Sequence, residues 1–205
     1  KGASVCFLGS TAEKEEQPGH VLIQLSDTPG RISRGLPLFL AEQVELNTGA
    51  RAHTLVPWIL EPREGFVLTC VPWKDSEAVK YAGEGEPKTS YVVTTHLKTQ
   101  AGPWTAELRM LRISDGTLLG KTSVSFPLEK AEEAFLGLAR QCVEFLSEHP
   151  DIKMDTPPTA YEVPKGHRFS SFLLRLEQLL AVRCEGEDFK GLNGERDIID
   201  GNIQL

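Results

Sequence analysis

Residues 90–146 constrain the fold more than any other part of this chain, because the hydrophobic period switches from 2 to 3.6 within them. Residues 90–100 (SYVVTTHLKTQ) are rich in β-formers and read as a strand. Next, Trp104, Ala106, Leu108 and Met110 alternate with Thr105, Glu107, Arg109 and Leu111. That is an antiparallel strand with one buried face and one mostly wet face. Asp115-Gly116 is hairpin-turn chemistry and leads into a further strand over 117–126. After Phe126-Pro127-Leu128 the period becomes helical. Ala131, Phe135, Leu138, Ala139, Cys142 and Leu146 then share one face. Glu129, Glu132 and Glu133 fall in the first turns, where the helix dipole favours negative charge. His149-Pro150 stops this helix, which spans about 129–148.

A chain of 205 residues buries roughly 70% of its unfolded surface, so it needs no disulfide or metal staple. Its formal net charge is −7, from 22 basic and 29 acidic residues, and no basic stripe is present. Nucleic acid and anionic membrane surfaces are therefore disfavoured as partners. No run reaches the roughly 18 apolar residues of a spanning helix, so no membrane insertion is expected. No signal peptide is visible, but the chain starts at Lys1 rather than Met, which is compatible with a removed signal. The cysteines are Cys6, Cys70, Cys142 and Cys184, with no C-x-x-C pair. Three of them lie in apolar patterns, which favours reduced core thiols and a cytoplasmic location. A removed signal would point to the periplasm instead.

Before the central stretch, 4–8 reads as a first strand, 11–19 as a polar loop and 21–25 as a second strand that Pro29-Gly30 breaks. A helix is expected from about Ser33, with Pro37 near its first turn and Leu36, Phe39, Leu40 and Val44 as its stripe. Asn47-Thr48-Gly49 ends it. Two similar segments follow, 53–60 with Val56-Pro57-Trp58 and 66–73 with Val71-Pro72-Trp73. They read as a hairpin whose prolines confine them to edges or strand ends. Asp75 is the expected N-cap of a short helix to about Tyr81, closed by the 83–87 loop. After the central stretch, 150–166 reads as a proline-rich linker. Phe169, Phe172, Leu173, Leu176, Leu179 and Leu180 then form another helical stripe. A charged connection over 184–191 and a further helix over 192–205 complete a helix–loop–helix. This unit is read either as the start of a helical repeat region or as packed back on the first domain.

The residues Tyr91-Val92-Val93-Thr94, Glu107-Leu108-Arg109, Asp115-Gly116-Thr117-Leu118-Leu119 and Leu138-Ala139-Arg140 follow one another in strand, hairpin and helix. In this order the chain resembles the amino-terminal α/β domain of TolB and its relatives over 3–149. Thr95 departs from the glycine usual there, and the two Val-Pro-Trp segments stand as an elaboration. Related domains occur in periplasmic Tol proteins and ahead of tetratricopeptide arrays in other bacterial proteins. The resemblance implies a non-enzymatic interaction domain and transfers no active-site residue.

Candidate chemistry is sparse. Gly116 to Thr122 imitates a phosphate loop, but only three residues separate Gly116 from Gly120, and the segment lies in a hairpin. His53 and His96 fall on strands, and His20, His149 and His167 on loops or element ends, without metal-ligand spacing. Cys6 or Cys70 with His53 or His96 as base would be a nucleophile pair, though no motif joins them. Glu84/Glu86 and Glu185/Glu187 read as solvated acids. Trp58 and Trp73, each after a proline at a strand end, are the candidate partner contacts; their alternative is to cap the sheet core.

The expectation is an α/β domain of the α+β type at 3–149, with a mixed, largely antiparallel sheet and two main helices on one face. The expected function is a non-catalytic protein–protein interaction or scaffold domain of a larger bacterial protein, binding a protein partner or a second copy. A small-ligand sensory domain, using the 83–87 loop or the Pro-Trp strand ends, is the alternative, and a Cys/His enzyme the third. No cofactor, metal or catalytic residue is assigned.

Overall fold

Strand β1 (Ser4–Leu8) is buried along its whole length, and the other elements are arranged around it. The computed structural model describes residues 2–9, 11–13, 21–23, 27–59, 65–85, 88–100, 102–159 and 161–184. The strands after β1 are β2 (Ala12–Glu13), β3 (Val21–Ile23), β4 (Arg51–Leu55), β5 (Trp58–Ile59), β6 (Gly65–Thr69), β7 (Tyr91–Lys98), β8 (Trp104–Arg112) and β9 (Leu118–Phe126). The helices are α1 (Thr28–Asn47), α2 (Asp75–Gly83), α3 (Ala131–Ser147) and α4 (His167–Cys184). The main sheet runs β4-β1-β7-β8-β9, with β2 also paired to β7. β1 is parallel to β4 and β7, whereas the longer β7–β8 and β8–β9 ladders are antiparallel. A small antiparallel sheet, β3-β6-β5, lies beside it.

The sheet is covered on both faces. Val5, Phe7, Val93, Leu97, Leu108 and Met110 pack with Leu36, Phe39, Leu40 and Val44 of α1 and Phe135, Leu138 and Cys142 of α3. The alternate residues Cys6, Leu8, Val92 and Leu111 meet Ala78 and Ala82 of α2. Two main helices thus share one face and a short one takes the other, which is why β1 shows no polar alternation.

Several expectations about the first half need correction. Ala12–Glu13, inside the expected 11–19 loop, is a strand paired with β7, and the N-cap of α2 is Lys74, with Asp75 the first residue of the helix. α1 starts at Thr28, not near Ser33. The Asp27 carboxylate accepts from the Gly30 N–H at 3.1 Å, and Pro29 occupies the first turn, where its missing N–H costs nothing. Pro37 is therefore inside the helix rather than near its start. It packs against β1's end: a Cβ on Gly9 would lie 2.4 Å from Pro37 Cγ and 2.7 Å from the Ser33 carbonyl oxygen. Nor do 53–60 and 66–73 form one hairpin. The chain breaks at Val56-Pro57, so β4 joins the main sheet, and of the 53–60 segment β5 alone pairs with β6. Pro57 has no N–H for a ladder, and its carbonyl accepts from Val67 N at 2.9 Å.

The β4 edge is partly closed by a side chain, since Glu45 Oε1 accepts from Ala52 N at 3.0 Å. Residues 150–166, read as a linker, carry contacts back to the domain. Lys153 O accepts from Gly49 N at 2.7 Å, Tyr161 donates to Glu42 at 2.6 Å, and Ile152 is buried. α4 packs on α1 through Phe169, Phe172 and Leu173 around Phe39. Beneath them, Arg34 of α1 is fully buried and meets Glu177 of α4 through Nε (3.0 Å) and Nη2 (2.9 Å). Its guanidinium also lies 4.8 Å from the Phe66 ring centroid. The loop and element-end residues 14–20, 24–26, 60–64, 86–87 and 185–191, and the helix expected over 192–205, lie outside the described residues.

Candidate functional site

The two tryptophans end up in different surroundings. Trp58 lies edge-on to Phe66, with centroids 4.7 Å apart, inside the packing of the small sheet. Trp73 is fixed at both ends. Its indole N–H donates to Gly9 O at 3.1 Å, and its ring meets Tyr81 edge-to-face at 5.6 Å. Beneath it is the Cys6–Val92–Leu111 cluster. Around it the surface is apolar and open: Val71 is 44% exposed, Tyr81 52%, and Pro72 is exposed. Exposed Glu77 and Lys80 lie on α2, and exposed Lys74 is its N-cap residue. The result is an aromatic corner between β6 and α2 whose central ring is immobilised and whose rim is charged.

Among the described residues the thiols and histidines do not assemble into a nucleophile. Cys6 and His53 occupy paired positions on β1 and β4. Burial pushes the Cys6 thiol up to about 12, so thiolate is scarce at neutral pH. Burial also lowers His53, which keeps that imidazole neutral. Cys70 and Cys142 are buried, and Cys142 is likewise pushed up to about 12. His149 stacks on Tyr91 at 5.2 Å, while His167 is exposed at the start of α4. Among the described residues no group of three His, Cys, Asp or Glu side chains is placed to hold a metal ion.

One buried polar cluster carries no sequence signal, because 85 residues separate its partners. His96 of β7, 3% exposed, lies with Nδ1 3.0 Å from Thr11 Oγ1 and Nε2 3.7 Å from Glu13 Oε1. Hydroxyl, imidazole and carboxylate in that order suggest a catalytic triad. The proton directions contradict it. Thr11 Oγ1 gives its only proton to Thr95 O at 2.6 Å, so His96 donates to the hydroxyl and cannot act as its base. Thr11 is also 1% exposed, which leaves no access for a substrate.

Among the described residues, concavities border α1 with α3 and the start of α4. A cleft of about 160 Å³ between α1 and α3 is lined by Gln43, Asn47, Leu136, Ala139, Arg140 and Val143. It is smaller than the roughly 300–1,000 Å³ of drug-sized ligand sites. An open groove of about 610 Å³ runs along residues 162–168. The anion position at the N-terminus of α1 is taken by the Asp27 carboxylate. The segment that imitates a phosphate loop is a turn and an edge strand, with Gly116 at φ 69°.

No protein-family model matches the chain, and no curated protein does either. Among solved structures the chain is similar to TolB from Acinetobacter baumannii, at 13% identity and a TM-score of 0.38. That match covers 73% of this chain, which spans 30% of the TolB chain's length. It is also similar to a PelC dodecamer from Paraburkholderia phytofirmans, at 10% identity and a TM-score of 0.37. There 71% of this chain covers 87% of the other.

Proposed function

We propose that this chain is a non-catalytic protein–protein interaction module, a scaffold head within a larger protein, and that its contact surface is the Val71–Trp73–Tyr81 corner. The observation behind this reading is the combination of a pinned indole with exposed apolar neighbours. An anchored aromatic loses little rotamer freedom on binding, so its burial converts efficiently into affinity. The charged residues of α2 beside it supply the polar rim such interfaces carry. Trp58 contributes less, because its ring is already committed to Phe66.

The test places a photo-cross-linking amino acid at position 81 of the intact protein. It also compares wild type with a Val71→Ser, Tyr81→Ser double variant in affinity for the cross-linked partner. Both substitutions sit on exposed side chains, so the cost to stability should be about 0.5–1.5 kcal/mol, that of the lost Trp73–Tyr81 ring contact. A partner cross-linked from position 81 whose affinity falls at least tenfold in the double variant supports the proposal. No cross-link, or unaltered affinity, refutes it.

A further inference from the structure

We propose that the His96–Thr11–Glu13 cluster is a proton-operated latch that releases β2, and with it the link between the two sheets, as the pH falls. Thr11 is the joint. Its carbonyl accepts from Leu97 N of β7 at 3.1 Å, its hydroxyl donates to Thr95 O, and it forms a bridge to Thr69 of β6. β2 itself is two residues long, held further by Thr99 Oγ1 donating to Glu13 O at 2.7 Å. Thr11 and Ala12 are both buried, and Ala12 belongs to the main core, so opening β2 lifts two small side chains from it while the longer strands and helices stay paired.

The hydroxyl's proton assignment fixes the imidazole. Nδ1 carries the hydrogen, so in neutral His96 the Nε2 lone pair faces the Glu13 carboxylate at 3.7 Å, acceptor against acceptor. Nε2 is buried and makes no hydrogen bond among the described residues. A second proton would relieve that opposition, but only by placing a cation where the side chain is 4% exposed. Among the described residues the charged groups around it are Glu13 of β2, Glu107 of β8 and Lys98 of β7. Glu107 is already bridged to Lys121 at 3.0 Å, and Lys98 opposes protonation. Desolvation outweighs the two carboxylates, and His96 is held below its ordinary value of 6.5. A base that binds its proton more weakly when closed than when open is opened by protons. Closed-state stability is complete above the ordinary histidine range. It is lost as the pH falls through that range towards the depressed value.

Hydrogen exchange of the Leu97 amide reads the latch directly, with Leu108 of β8 as the core control. Rates are corrected for the intrinsic pH dependence of exchange. Between pH 7.5 and 5 the opening constant at Leu97 should rise by up to about tenfold per pH unit, the limit for one proton. Leu108 should stay flat. His96→Asn, which retains an N–H donor for Thr11, should abolish the rise. Glu13→Gln removes the attraction for the imidazolium and should steepen it. A flat Leu97 profile in the wild type, an unchanged rise in His96→Asn, no effect of Glu13→Gln, or a parallel rise at Leu108 would each overturn the proposal.

Discussion

Replacing Glu177 by leucine should be the most damaging single change on α4. Arg34 is fully buried, and Glu177 is its charge partner across the helix interface. Removing the carboxylate leaves a desolvated guanidinium facing the Phe66 ring at 4.8 Å, with the charge of Asp27 acting on it more weakly than Glu177 does. Removing one partner of a buried ion pair costs about 3–5 kcal/mol, and the cation–π contact, already present in the wild type, does not offset that loss. For a chain of this length, 3–5 kcal/mol lowers the melting temperature by roughly 6–20 °C. Urea denaturation followed by far-UV circular dichroism measures the loss, and the slope m shows whether α4 has detached in the native state. The decisive comparison is the double variant Arg34→Met, Glu177→Leu. With neither charge present, its stability should return to within about 1 kcal/mol of the wild type, because buried ion pairs gain little over apolar packing. If Glu177→Leu alone costs under about 1 kcal/mol, or if the two single losses simply add in the double variant, the ion pair is not desolvated and the reasoning fails.

Gly9→Ala should destabilise by about 1–3 kcal/mol in the same assay, since the new methyl meets Pro37 Cγ at 2.4 Å and the Ser33 carbonyl of α1 at 2.7 Å; a neutral result would mean that β1 and α1 are not in contact there. Asp27→Ala should cost about 0.5–2 kcal/mol by removing the cap on Gly30 N, and Asp27→Ser should recover most of it. In thiol labelling at about pH 7.5, Cys6 and Cys142 should react only at the rate of unfolding, because both thiols are buried and pushed up to about 12. Rapid native-state labelling of Cys6, located by peptide mapping, would contradict that and revive a nucleophilic role beside His53.

Much of the fold was legible where local chemistry and global packing agree. The β7–β8–β9 meander and α3 were readable because alternation, Asp115-Gly116 and the stripe from Ala131 to Leu146 all specify the same answer. The start of α1 was misread because Pro29-Gly30 serves equally as a breaker and as a first helical turn, and only the Asp27 side chain decides between them. The fate of β4 and β5 was hidden for a different reason. Which sheet a short strand joins is set by pairing with β1 or β6, distant in sequence, and Pro57 marks the break without naming the partners. The candidate site was legible only as residue types. Trp73 stood out, but its anchoring to Gly9 depends on a contact 64 residues away. The His96 cluster and the Arg34–Glu177 pair were invisible, since a lone histidine on a strand and a lone arginine on a helix are ordinarily solvated.

The Arg34–Glu177 pair also fixes an order of events during synthesis. The two residues are 143 positions apart. At about 5–20 residues per second, Glu177 is made roughly 7–29 s after Arg34. By the end of that interval the sheet strands and α3 have been made, yet the guanidinium has still not met the Glu177 carboxylate. The α1 surface around Phe39 therefore remains open on the nascent chain. It is free to engage a chaperone until α4 arrives and displaces it.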